Sequence, residues 1–147
     1  MNDQEIEQEI QAKGMTAPRI TLADIEAAIA SEHYFTARQG VDGADIEVIR
    51  ASEPTAPLTL AAFSDDPDLW KTRAAPLNLL TFCVLILKNG FTVTGESACA
   101  SPENFDAEVG RKVARANAVN KIWPLMGYEL RCRLHEASTK DACGFEG

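Results

Sequence analysis

The sequence has only two histidines, His33 and His135, among its 147 residues. Its four cysteines, Cys83, Cys99, Cys132 and Cys143, form no CxxC pair and no spacing typical of a zinc site. No metal site is therefore expected, and in a reducing compartment the cysteines read as free thiols. Long apolar stretches are missing too. The longest, residues 82–87, falls far short of the roughly 20 residues that a membrane-spanning helix needs. The N-terminus, MNDQEIEQEIQAKG, is acidic and lacks the apolar segment of a secretory signal, so a soluble, cytoplasmic chain is expected. No P-loop, nucleophile elbow or HExxH motif occurs, and the expectation is a protein that is not an enzyme and takes no cofactor.

Basic residues are the minority as well: 14 lysines and arginines stand against 22 acids, a formal net charge of −8. A surface of that sign repels phosphate everywhere outside a local patch, which argues against a protein that coats nucleic acid. What is present, 46% hydrophobic and 24% charged residues, fits one soluble domain. A chain of this length buries roughly two thirds of its unfolded surface, enough for a core without metal or disulfide staples. The charge is unevenly spread. Residues 1–76 hold 14 acids and 6 bases, whereas residues 77–147 hold 8 of each. Between residues 109 and 133, Arg111, Lys112, Arg115, Lys121, Arg131 and Arg133 face Glu129 alone.

Residues 1–18 are polar and read as a flexible or marginally helical tail. Thr21 offers an N-cap before an apolar face of Leu22, Ile25, Ala28 and Ile29, so the spacing predicts a helix over 22–32. Residues 33–36 and 45–49 read as two strands of a loose hairpin. Four of the seven prolines and the acidic run at 65–68 mark a long loop over 51–76, with Trp70 as a candidate anchor. The clearest signal lies at 79–99, where two β-rich runs flank Asn89-Gly90. A two-residue turn there pairs Ile86 with Val93 and Val84 with Gly95. That register puts Phe82, Val84, Ile86, Phe91 and Val93 on a core face. It leaves Cys83, Leu85 and Leu87 beside Thr92, Thr94 and Glu96 on a mixed face, suited to an oligomer contact, a pocket wall or plain edge exposure.

Ser101-Pro102-Glu103 predicts a helix start and Pro124 its end near Trp123, followed by a short helix over 125–135 and a frayed tail over 138–147. Helical spacing puts Phe105, Val109, Val113, Ala116, Val119 and Trp123 on a core stripe, with Gly110, Ala114, Asn117, Ala118 and Lys121 roughly opposite. A solvated helix face usually carries long charged side chains, whereas this one is small except at its end. Arg111 and Arg115 flank it, and a guanidinium pair beside an amide-bearing groove suits a phosphate-bearing ligand or an acidic partner. Alanines that merely favour helix, with Glu108 neutralising the arginines, produce the same pattern. The expected architecture is α+β: a small antiparallel sheet with a central Asn-Gly hairpin, packed against a long C-terminal helix and one or two shorter helices, in a single domain over 19–137.

The run LTFCVLILKNGFTVTGESACASPENFDAEVGRKVARANAVNKIWPLMGYELR, residues 80–131, resembles a family of small phage and prophage proteins named for gene product forty-nine of one coliphage and gene product sixty-six of a Shigella phage. The segment ADIEAAIASEHYFTA, residues 23–37, resembles it too. The same pattern resembles the first type of Thoeris anti-defence protein. Those proteins are oligomeric sponges that bind, without cleaving, cyclic ADP-ribose isomers made by bacterial TIR enzymes, and some bind cyclic trinucleotides. The resemblance implies a homo-oligomer in the host cytoplasm that sequesters a cyclic nucleotide immune signal, with Thr94, Asn104, Asn117 and Lys121 at the ligand; Arg115 joins them from its place beside the small stripe. Thr94 stands where an aromatic would stack on adenine, which leaves Phe82, Phe91 or Trp123 for that part. An ideal helix sets Asn104 about 220° around from Asn117, so a pocket using both wraps the helix end or borrows a residue from a second subunit. The competing expectation is a phage protein that binds and modulates a host protein.

Overall fold

Thr21 caps the second helix as its sequence suggests, but that helix ends at Ala28, and residues 29–32, expected as its last turn, begin the first strand. The Thr21 hydroxyl accepts from the Asp24 N–H while the Asp24 carboxylate accepts from the Thr21 N–H, a reciprocal cap on α2 (Leu22–Ala28). The computed structural model describes residues 2–15, 17–51 and 75–143, and the side chains of 45–51 and 141–143 lie outside that description. The expected loop over 51–76, its acidic run and Trp70 fall almost wholly outside the described residues. The elements in chain order are α1 (Asp3–Ala12), α2, β1 (Ile29–Thr36), α3 (Ala37–Ala51), β2 (Leu80–Leu87), β3 (Thr92–Ala98) and α4 (Ala107–Cys143). The three strands form one antiparallel sheet in the order β1-β2-β3, which makes the architecture α+β. Among the described residues no helix is long and apolar enough to cross a membrane.

The hairpin lies where Asn89-Gly90 places it, but its register is one residue off the expected one. Leu87 N–H donates to the Phe91 carbonyl (2.8 Å), Gly90 N–H donates to the Leu87 carbonyl (2.9 Å), and Cys99 N–H donates to the Leu79 carbonyl (3.0 Å). Leu87 therefore faces Phe91 across a three-residue loop whose Gly90 alone takes a positive φ, +88°. Asn89 instead uses its side-chain oxygen to accept from Phe91 N–H at 2.9 Å. A one-residue slip turns every side chain to the opposite face. The buried set is accordingly Thr81, Cys83, Leu85 and Leu87 with Val93, not the even-numbered residues of β2.

The helix is turned in the same sense. Val109 and Val113 are 56% and 43% exposed, while Gly110, Ala114, Ala118 and Ile122, spaced four apart, are buried. Gly110, Ala114 and Ala118 of the small stripe thus fill the core with Ile122 and with Val119, the one member of the expected core stripe that is buried, while Asn117 and Lys121 are exposed. The helix also starts later and ends later than expected. Pro102–Asn104 forms a short 3-10 turn, Asp106 caps α4 by accepting from Val109 N–H (2.9 Å), and the helix runs through Pro124 without a break. One proline removes a single backbone bond, and the strong helix formers on both sides of it outweigh that loss. The strand expected at 45–49 is the second half of α3. Its start is a reciprocal cap: Gln39 N–H donates to the Thr36 hydroxyl, and Thr36 N–H donates to the Gln39 side-chain oxygen.

The chain divides into two compact units. One comprises Met1–Ser31, Leu85–Val93 and Val119–Gly147, with Ile25, Leu85, Leu87, Val93, Val119 and Ile122 buried. Within it Lys88 N–H donates to the Ala28 carbonyl (2.9 Å), and Arg19 forms a two-pronged ion pair with Glu7 (2.7 and 2.9 Å), tying the segment after α1 back to that helix. The other comprises Glu32–Val84 and Thr94–Ala118. Here a Cβ placed on Gly95 would lie 2.1 Å from the Ala114 carbonyl oxygen and 2.3 Å from Ala118 N, so only glycine lets β3 and α4 approach this closely. On the opposite side of the sheet Phe35 stacks on Phe82, with ring centroids 5.5 Å apart.

Candidate ligand-binding site

The reversal of the helix face changes what the sequence-derived residues do. Asn117 donates its amide to the Glu96 carbonyl of the edge strand β3 at 2.8 Å. Arg115, half-buried, is held by the Glu32 carboxylate. Glu32 also accepts from the Tyr34 hydroxyl at 3.3 Å. Thr94 is exposed on β3, on the face away from Val93 and Gly95, so it does not share a face with Cys83 as expected. Asn104 is exposed in the 3-10 turn before α4, where the angular argument for a continuous helix does not apply. Lys121 is exposed on α4 one turn before Leu125. Thr94, Asn104, Arg115 and Asn117 belong to the second unit and Lys121 to the first. Among the described residues no group of three or more metal-ligating side chains is placed to hold an ion.

The first unit holds a pocket of about 400 Å³ that spacing arguments alone do not reveal. Ala28, Leu87, Leu125 and Met126 wall it, and Lys88, Asn89, Phe91 and Glu129 complete it. Its aromatic member, Phe91, is 54% exposed at the end of the hairpin. Asn89 spends its oxygen on the turn, which leaves its amide hydrogens as donors. Lys88 puts a cation beside them. A volume in this range and a mainly apolar lining with a few convergent polar groups describe a small-molecule site. The signal available in the sequence was the turn itself: Lys88-Asn89-Gly90-Phe91 sets a cation, an amide and an aromatic within four residues.

In the second unit burial drives Tyr34 up to about 12, with Cys83 and Glu32 adding to it. Burial likewise raises the Cys83 thiol. Neither group supplies an anion near neutral pH. Cys99 donates its thiol to the Ser101 carbonyl at 3.1 Å.

The profile of the phage protein (N4 Gp49/phage Sf6 gene 66) family matches residues 20–134. The chain belongs to that family. The matched range takes in α2, the whole sheet and most of α4, and so includes every residue of both the hairpin-end pocket and the Asn117–Glu96 contact. No match was found among curated proteins or among solved structures.

Proposed function

We propose that this phage family member is a non-catalytic binding protein that sequesters a cyclic nucleotide immune signal, a cyclic ADP-ribose isomer or a related cyclic trinucleotide, in the cytoplasm of the bacterial host. The observation that carries the reading is the pocket at the hairpin end. Phe91 offers a stacking face for a base, Lys88 offers charge to a phosphate and the Asn89 amide offers donors, while Lys121 stands exposed on α4 one turn before the lining residue Leu125. Sequestration works by mass action and needs affinity, not a general base or nucleophile. The resemblance to the anti-defence sponges adds Thr94 and Asn104, both exposed, and a homo-oligomeric assembly. Arg115 and Asn117 serve the same reading by fixing α4 against β1 and β3 through Glu32 and Glu96.

Calorimetry with cyclic ADP-ribose isomers tests this. Saturable binding with the ligand recovered intact is expected, with Phe91→Ala and Lys121→Ala each weakening affinity about tenfold at an unchanged melting temperature. Unaltered affinity in both variants would remove the pocket from the reading. The exposed apolar side chains Phe91, Leu125, Tyr128 and Leu134 favour a host protein as the second possibility. Silent titrations together with reproducible capture of one host protein, lost in Tyr128→Ala, would put that reading in place of the first.

A further inference from the structure

The pocket at the hairpin end has walls of unlike character. The hairpin supplies Lys88, Asn89 and Phe91, whereas α4 supplies Leu125 and Glu129. The side-chain donors come from the hairpin: Lys88 is a cation, and Asn89, its oxygen committed to Phe91 N–H, keeps its amide hydrogens. Glu129, on the helix wall, is the only carboxylate among the lining residues. An ionised carboxylate accepts hydrogen bonds and never donates them. Its one ionic partner among the described residues is Arg133 at 3.7 Å, too far for a hydrogen bond. A loose, exposed pair of that kind holds the carboxylate weakly, so its oxygens are left to accept from a ligand.

A carboxylate beside a phosphate costs affinity through like-charge repulsion unless the ligand turns donors towards it. The part of a nucleotide that sets two donors side by side is the ribose 2′,3′-diol, and an acidic side chain on the 2′-hydroxyl is how dinucleotide-binding folds hold a ribose. We propose that Glu129 is the sugar-reading residue of this pocket: its carboxylate accepts from the ribose hydroxyls of one nucleotide unit whose base stacks on Phe91 and whose phosphate lies at Lys88. This role rests on the reading of the pocket as a nucleotide site and adds to it a preference for ribose. A volume of about 400 Å³ is near the small end of ligand sites, roughly 300 Å³, and so takes one nucleotide unit of a larger cyclic molecule. The Glu129 side chain is 67% exposed, so water replaces a missing hydroxyl there. Discrimination should therefore be about tenfold, far below the roughly 10⁴-fold of a buried hydroxyl-reading site.

Calorimetry with adenosine 5′-monophosphate, its 2′-deoxy analogue and adenosine 2′,5′-bisphosphate tests the assignment. The parent should bind the monophosphate about tenfold tighter than the deoxy analogue, and tighter than the bisphosphate despite the latter's extra charge. Glu129→Ala should bring the ribose-to-deoxyribose ratio close to one at an unchanged melting temperature. Glu129→Gln should reverse the order of the two phosphorylated ribonucleotides, because the repulsion is gone and Lys88 remains; a merely structural role would not produce that reversal. Lys88→Ala should weaken the monophosphate and its deoxy analogue alike, and Glu108→Gln, which alters a carboxylate near the start of α4, should bind as the parent does. Equal affinity of the parent for the monophosphate and the deoxy analogue, or a ratio that survives in Glu129→Ala, overturns the role of Glu129 and leaves the pocket standing as a nucleotide site. No saturable heat with the monophosphate up to about 20 mM overturns the ribose assignment whatever the cyclic ADP-ribose isomers do.

Discussion

Glycine at position 95 is where a single atom decides the packing of β3 on α4. The Cβ of an alanine there meets the Ala114 carbonyl oxygen and the Ala118 nitrogen, both backbone atoms that cannot swing aside. Relief requires strand and helix to separate, and overpacking of this kind costs about 1–3 kcal/mol. Gly127 is its opposite. It sits inside α4 with nothing within 4 Å of a built Cβ, so alanine there gains helix propensity without a clash. In urea unfolding, Gly95→Ala should lower the midpoint markedly, while Gly127→Ala should raise stability by about 0.5–1 kcal/mol. Equal midpoints for Gly95→Ala and the parent would mean that the close approach is absent in solution. The same residue was the legible clue to the helix face. A glycine in the middle of a strand signals close backbone approach, and only the small stripe Gly110, Ala114, Ala118 can complement it.

At the scale of elements, what could be read depended on whether a local signal had a rival. The hairpin was legible in position because Asn-Gly between β-rich runs has no good alternative conformation. Its register was not, because β2 reads Leu-Thr-Phe-Cys-Val-Leu-Ile-Leu and is apolar on both faces, so alternation does not choose between a two-residue and a three-residue loop. Of the candidate site residues, Thr94 inherited that ambiguity. Asn117 and Arg115 are picked out by helical spacing, but their face was assigned by taking the bulkier stripe of Phe105, Val109 and Val113 as the core, and the pocket around Phe91 emerges only when distant segments are brought together. The strand expected at 45–49 failed for a different reason: β-formers at Ile46, Val48 and Ile49 outweighed a cap nine residues upstream. Thr36-x-x-Gln39 is a capping box in the sequence, and it starts α3. Removing its hydroxyl should therefore act on the helix start. Thr36→Ala is expected to cost about 1 kcal/mol, seen as a lower urea midpoint with an unchanged slope. A midpoint within experimental scatter of the parent would show that the cap contributes nothing.

Across the whole molecule the shifted ionisations divide by unit, and the division fixes how stability should vary with pH. In the first unit, hydrogen bonding to Arg19 holds Glu7 below its ordinary value of 4.5, and the Thr21 backbone and side chain hold Asp24 below 3.8. For an acid lowered on folding, the unfolded chain binds the proton first as pH drops, so the stabilisation is complete above the ordinary value and is lost as pH falls through the folded one. In the second unit the shifts have the other sign. Burial raises Cys83 above 9.0 and takes Tyr34 from 10.0 to about 12. There the unfolded chain releases the proton first as pH rises, so stability is whole below about pH 9 and declines between there and about pH 12. Urea midpoints measured across the pH range should trace a plateau from about pH 5 to pH 9 with a fall on each side. The two limbs are separable by substitution. Arg19→Gln removes the partner of Glu7 and should flatten the acid limb while leaving the alkaline one alone. Tyr34→Phe removes the group that ionises and should flatten the alkaline limb between pH 10 and 12 while leaving the acid one alone. An acid limb unchanged in Arg19→Gln would show that the Glu7 pair does not persist in solution, and an alkaline limb unchanged in Tyr34→Phe would assign that decline to Cys83.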